Sequence, residues 1–129
     1  TVYQDAQKWL NEGIQDALFP MMYFQGNHFY PFALDWKENK HDRWIVPGLG
    51  IYFLHPKEQN WQIDEIIRQI YFTRRIGLDG QAYFRNKFML GNTKGILDEL
   101  KGNFYAYPAV VPPMRWASQT APCKERISK

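Results

Sequence analysis

Three apolar runs constrain this chain most, because none of them alternates. They are Ala17–Phe24 (ALFPMMYF), Ile45–Leu54 (IVPGLGIYFL) and Gln81–Leu90 (QAYFRNKFML). A strand with one wet face alternates apolar and polar residues. A continuous run suits a strand buried on both faces, as in a parallel sheet. Each run carries a Tyr-Phe pair at its expected strand end: Tyr23-Phe24, Tyr52-Phe53 and Tyr83-Phe84. Two runs follow a similar turn, a helix-ending glycine and then an aspartate, from Gly13 to Asp16 and from Gly77 to Asp79. Pro20 argues against an unbroken first strand, since proline lacks a ladder donor; a strand end or a bulge accommodates it.

The stretches between the runs have helical spacing. Val2, Ala6, Trp9 and Leu10 mark a first helix with Gly13 as its stop. Asp35–Lys40 suggests a short helix. Asn60 is the expected cap of a helix over Gln62–Ile76, with Ile63, Ile66, Ile67, Ile70 and Tyr71 as its apolar stripe. A further helix is expected over Thr93–Asn103, with Ile96, Leu97 and Leu100 on one face. Pro108–Val111 suggests one more short extended segment, and Pro112, Pro113 and Pro122 mark an irregular tail. Strand, helix, strand, helix implies parallel strands joined by right-handed crossovers, an α/β arrangement. The 129 residues suffice for one domain with a core. They are too few for a closed eight-stranded barrel of ~250 residues. The expected organisation is therefore parallel βα units over 1–116 and an irregular tail over 117–129.

In a parallel α/β fold the site lies beyond the carboxyl ends of the strands. Asp16 and Asp79 precede strands, so turn formation and capping are their expected roles. The candidates for chemistry lie after the strands. They are Gln25, Asn27, His28, Asp35, Trp36, Glu38, His41 and Asp42, then His55, Glu58 and Trp61, then Arg85, Asn86 and Lys87. All three histidines are expected in loops at one end. No two of them have a known metal-ligand spacing, so no metal is expected. Glycoside hydrolysis needs two carboxyl groups flanking the scissile bond. Asp35, Glu38, Asp42 and Glu58 lie several residues past their strands, among polar neighbours, and no catalytic pair stands out.

Composition narrows the classes further. The chain has 9 Phe, 8 Tyr and 5 Trp, enough to fill a core and to line a site for sugar rings. An aromatic face covers the C–H groups of a sugar while nearby polar groups bond its hydroxyls. The net charge of +3 is dispersed, without the clustered footprint of a nucleic-acid binder. No stretch approaches the ~20 apolar residues of a membrane span. Cys123 has no partner for a disulfide within the chain and lies in a proline-flanked tail without an obvious base. GxSxG, GxGxxG and P-loop patterns are absent, and no cofactor is expected.

Several segments together carry a family resemblance. Asp5-Ala6-Gln7-Lys8-Trp9-Leu10, Pro20-Met21-Met22-Tyr23-Phe24, Pro47-Gly48-Leu49-Gly50-Ile51-Tyr52 and Gly80-Gln81-Ala82-Tyr83-Phe84-Arg85 resemble, in order, segments of the family-10-like glycosyl hydrolases of Bacteroides-type bacteria. Pro108–Trp116 resembles the segment that closes their barrel. The resemblance implies strands six, seven and eight of a TIM-type (β/α)8 barrel acting on polysaccharide or oligosaccharide. It implies a secreted, periplasmic or cell-surface location. It also implies catalytic carboxylates at least partly on earlier strands, leaving this chain inactive alone. Tyr23, Tyr52 and Arg85 match motif positions near the barrel mouth. Together with Gln25, Asn27, His28, His55 and Asn86 they are the expected substrate-binding residues. Core packing is the rival role for Tyr23 and Tyr52. A piece of a barrel exposes sheet edges, so the missing barrel segments or a second copy of the chain are expected partners. The competing reading is a stand-alone carbohydrate-binding or small-molecule-binding α/β module without catalysis.

Overall fold

The computed structural model describes residues 4–117. Val2, Pro122, Cys123 and the rest of the expected tail from Ser118 lie outside the described residues. The chain begins with α1 (Ala6–Asn11), where the Asp5 carboxylate accepts the Lys8 N–H at 3.1 Å. That bond satisfies one of the donors a helix start leaves open. Gly13, with φ +71°, ends this turn as expected.

Three extended segments follow in parallel, each cut short. They contain β1 (Ala17–Leu18), β2 (Trp44–Ile45) with β3 (Gly48–Leu49), and β4 (Ala82–Tyr83). Ala17 lies opposite Trp44, and Gly48 opposite Ala82, both in parallel register. The middle segment bonds to both neighbours. On one side Trp44, Val46 and Gly48 donate to the carbonyls of Asp16, Leu18 and Pro20. On the other, Asp79, Ala82 and Phe84 donate to Ile45, Pro47 and Leu49. Pro20 and Pro47 each lack a donor, which breaks a continuous ladder into these short pieces. Pro20 still accepts the Gly48 N–H at 2.8 Å, so it sits inside the ladder rather than in a bulge.

The strand ends differ from expectation. Ile51–Leu54 turns into a 3-10 helix directly after Gly50. Asn86–Leu90 is the helix α4. Ile51 and Leu54 of the first and Phe88 of the second are in the core, whereas Leu90 is 72% exposed. An apolar run of this length does not distinguish a strand from a short buried helix.

The helices are better marked. The short helix expected at Asp35–Lys40 is the end of a longer one, α2 (Tyr30–Glu38), which opens on Pro31, a residue suited to the first helical turn. The helix α3 (Ile63–Arg75) carries Asp64 and Glu65 in its first turn and Arg74 and Arg75 in its last, matching the helix dipole. Its buried face is Ile66, Gln69, Ile70 and Thr73. Tyr71 is 55% exposed and packs edge-on against Phe104 instead. Asn60 does not cap α3. It is left-handed (φ 53°), and its side-chain oxygen accepts the Lys94 ammonium at 2.8 Å; Gln62 takes the cap position.

The helix expected from Thr93 begins at Ile96, as α5 (Ile96–Glu99) running on into a π turn over Leu100–Phe104. Asn92, Lys94 and Gly95 all have positive φ, which excludes a regular first turn. The Asn92 side chain accepts the N–H groups of Leu97 and Asp98 at 2.9 and 3.2 Å and so stands in for a cap. Pro108–Val111 forms no strand, and Val110 is 92% exposed. The chain past it reaches the amino end of the sheet. There the Trp116 indole donates to Asp16 at 2.6 Å and meets Trp44 edge-on.

Asp79 holds the same end of the sheet. Its carboxylate accepts the Ile45 N–H at 2.9 Å and pairs with the Lys40 ammonium at 2.5 Å. Turn formation and capping were the roles expected of Asp16 and Asp79; their carboxylates instead bond to distant groups, Asp16 to Trp116 and Asp79 to Ile45 and Lys40.

Candidate functional site

The Tyr-Phe pairs converge at the carboxyl ends of the strands, but not in phase. The rings that meet are Tyr23, Tyr52 and Phe84. Tyr23 stacks on Phe84 with centroids 5.3 Å apart and planes at 21°. Tyr52 stands edge-on to both, at 5.9 Å from Tyr23 and 5.5 Å from Phe84. The third pair thus contributes its Phe, not its Tyr. Tyr83 points to the other side of the pleat, where its hydroxyl bonds that of Tyr105 at 3.1 Å. Phe84 belongs to the Tyr-Phe repeat in the sequence but is not among the expected site residues.

Two glycines make room for this cluster. A Cβ on Gly48 would come within 3.0 Å of the Tyr23 ring, and one on Gly50 within 3.2 Å of both Tyr23 and Phe53. The close approach of backbone to ring explains the Gly-Leu-Gly sequence there. Phe84 keeps an exposed face, whereas Tyr23 and Tyr52 are half-buried. The two tyrosines therefore pack with one another and also border solvent.

The remaining expected site residues divide into three groups. His28 lines an apolar concavity of about 470 Å³ with Pro20, Met21, Met22, Phe24, Phe32 and Trp36. His55 and Arg85 line a polar cleft of about 400 Å³ with Lys57, Glu58, Lys87 and Phe88. Gln25, Asn27 and Asn86 are exposed and line neither concavity. Gln69, buried on α3, ties down the segment carrying the first of these residues by donating to the Phe24 carbonyl at 2.9 Å. His41 does not join the others. It sits with Asp42 in the left-handed turn just before β2, at the opposite end of the strands, because α2 carries the chain across in between. Asp35 accepts from Gln7 at 2.6 Å and Asn39 at 3.1 Å, a link between α1 and α2. Among the described residues no three His, Cys, Asp or Glu side chains cluster as a metal site. No helix among them is long and apolar enough to cross a membrane.

The phenols of this region are biased toward their neutral form. Burial raises Tyr23. Burial raises Tyr52, helped by Tyr23 and by the charge of Glu58. Tyr30 is pushed up to about 12, first by burial and then by Glu65, which accepts its hydroxyl at 3.3 Å; Arg68 opposes the shift. Burial and the Tyr105 hydroxyl raise Tyr83 further. A raised phenol stabilises the fold fully below the unfolded value near 10 and loses that contribution as pH rises through the folded value. The urea midpoint is therefore expected to fall between about pH 9 and pH 12, and Tyr30→Phe should flatten part of that fall. A midpoint constant across that range would contradict these environments.

The chain is similar to a Bacillus subtilis (strain 168) protein named glycosyl hydrolase YngK. The two are 31% identical over 137 residues, which cover 99% of this chain and 27% of that protein. The chain is thus a distant relative of a protein named as a glycosyl hydrolase, and spans 27% of its length. No family model matches the chain, and no solved structure matches it.

Proposed function

We propose that this chain is the carbohydrate-holding wall of a glycoside hydrolase, formed by βα units from the C-terminal part of a TIM-type barrel of the family-10-like, Bacteroides-type kind. The observation that carries the reading is the convergence of Tyr23, Tyr52 and Phe84 from three parallel strand ends. Rings at that end of parallel strands border the place where such folds bind ligands, and a partly open aromatic face suits a sugar. The relative's name supports the same class. A secreted, periplasmic or cell-surface location belongs to this proposal.

Binding without catalysis by this chain alone is the companion reading. Glu58 is the single carboxylate lining the polar cleft, and hydrolysis needs two carboxyl groups. Further barrel units, or a second copy, are the proposed partners. The outer edge of β1 is unpaired among the described residues, and Phe19 and Met21 are exposed beside it.

Titrating the chain with neutral oligosaccharides while following aromatic NMR signals tests the reading. The ring signals of Tyr23, Tyr52 and Phe84 are expected to shift, and Phe84→Ala to weaken binding about tenfold. No hydrolysis is expected from the chain alone. Ring signals unmoved at millimolar sugar would refute the carbohydrate role, and full hydrolytic activity of the chain alone would refute the wall.

A further inference from the structure

The polar cleft carries more positive charge than it neutralises. Lys57, Arg85 and Lys87 line it against one carboxylate, Glu58. None of these three cations has a carboxylate within 4.0 Å among the described residues. One ring gathers two of them. Phe88 is 7% exposed; the Arg85 guanidinium lies 5.6 Å and the Lys87 ammonium 6.0 Å from its centroid. A guanidinium resting on a ring rather than on a carboxylate keeps its N–H donors open to a ligand. His55 meets the same ring at 5.6 Å, and its Nδ1 accepts the Lys57 N–H at 3.1 Å. The neutral imidazole therefore carries its proton on Nε2, another donor.

The cleft also adjoins the aromatic cluster. Arg85 follows Phe84 directly in the chain. Glu58 lies close enough to Tyr52 for its charge to raise the phenol. A sugar ring covering Phe84 would thus have a ring substituent within reach of unpaired cations.

We propose that this cleft is a subsite for the anionic substituent of an acidic glycan, held by Arg85 and Lys87. The inference rests on the carbohydrate reading above and deepens it by naming the substrate class. Carboxylate and sulfate groups share the chemistry, since both offer paired oxygens to a guanidinium. Lys57, which also lines the cleft, adds electrostatic attraction.

The test is calorimetry on the full chain with a galacturonate oligomer, its methyl ester, a sulfated neutral oligomer and polyacrylate. The acidic oligomer is expected to bind at least about tenfold more tightly than the ester, the range of a charged hydrogen bond. Arg85→Gln and Lys87→Gln should each erase much of that advantage, lowering affinity for the acidic oligomer more than for the ester. Both side chains are exposed, so the variants are expected to fold, which circular dichroism checks. Preference for the sulfated oligomer, lost in the same variants, also supports the subsite and identifies sulfate as its group. Equal binding of acid and ester overturns the subsite and leaves the carbohydrate reading standing. Binding of none of the sugars overturns both. Polyacrylate bound as tightly as the acidic oligomer, with no binding of the ester, reduces the cleft to a general anion site and overturns the glycan assignment.

Discussion

Asp79→Ala is expected to destabilise the chain by about 3 kcal/mol, within the range for breaking a buried ion pair. The Asp79 and Lys40 side chains are each 13% exposed, so water screens the pair little. The substitution strands the Lys40 ammonium and leaves the Ile45 N–H without its acceptor at the start of β2. The stranded charge, more than the lost attraction, sets the size of the effect. Lys40→Met combined with Asp79→Asn should recover much of the loss, because the lone ammonium is gone and the amide oxygen still accepts from Ile45. Urea unfolding followed by circular dichroism measures all three proteins. A loss below about 0.5 kcal/mol for Asp79→Ala would mean that the pair is a surface contact in solution.

Phe29→Ala is expected to cost about 3–5 kcal/mol, the usual range for emptying a buried phenylalanine site. Phe29 is 0% exposed and is the largest fully buried side chain among the described residues. It meets Tyr30 edge-on at 5.2 Å. Its backbone also closes the turn carrying Asn27 and His28, through a bond from its N–H to Gly26 at 2.9 Å, and opens α2 by accepting from Ala33 at 2.9 Å. The variant should therefore lose protection of the His28 and Ala33 amides against hydrogen exchange as well as global stability. Phe29→Leu, which refills most of the space, should cost about 1–1.5 kcal/mol. Equal losses for the two variants would show that the ring is not packed as described.

How far the sequence alone could reach varied along the chain. The helix α3 was legible almost to its ends, because the apolar spacing, the acidic first turn, the basic last turn and Gly77 all agree. The starts of the first and third extended segments were legible from the Gly-to-Asp turns. The ends of the segments were not. Ile51–Leu54 and Asn86–Leu90 bury Ile51, Leu54 and Phe88, and burial does not specify backbone conformation. Asn92, Lys94 and Gly95 delay the last helix through left-handed backbone that the spacing of Ile96 and Leu100 did not reveal.

The site divided in the same way. Tyr23 and Tyr52 were selected from the family resemblance, His55 from its place after a strand and Arg85 from both, and they lie at one end of the sheet. His41 was placed at that end too, and α2 moves it to the other. The three Tyr-Phe pairs looked like one repeated unit. The third presents its other ring, because Ile51–Leu54 winds into a 3-10 helix while Tyr83 stays in the pleat. The unalternating runs thus determined by sequence alone that strands would lie side by side with helices between them. Which rings face one another was decided only in the folded chain, where two prolines interrupt the ladders and two glycines admit Tyr23. A run of apolar residues says how deeply a segment is buried, and only its neighbours set the direction in which each side chain leaves it.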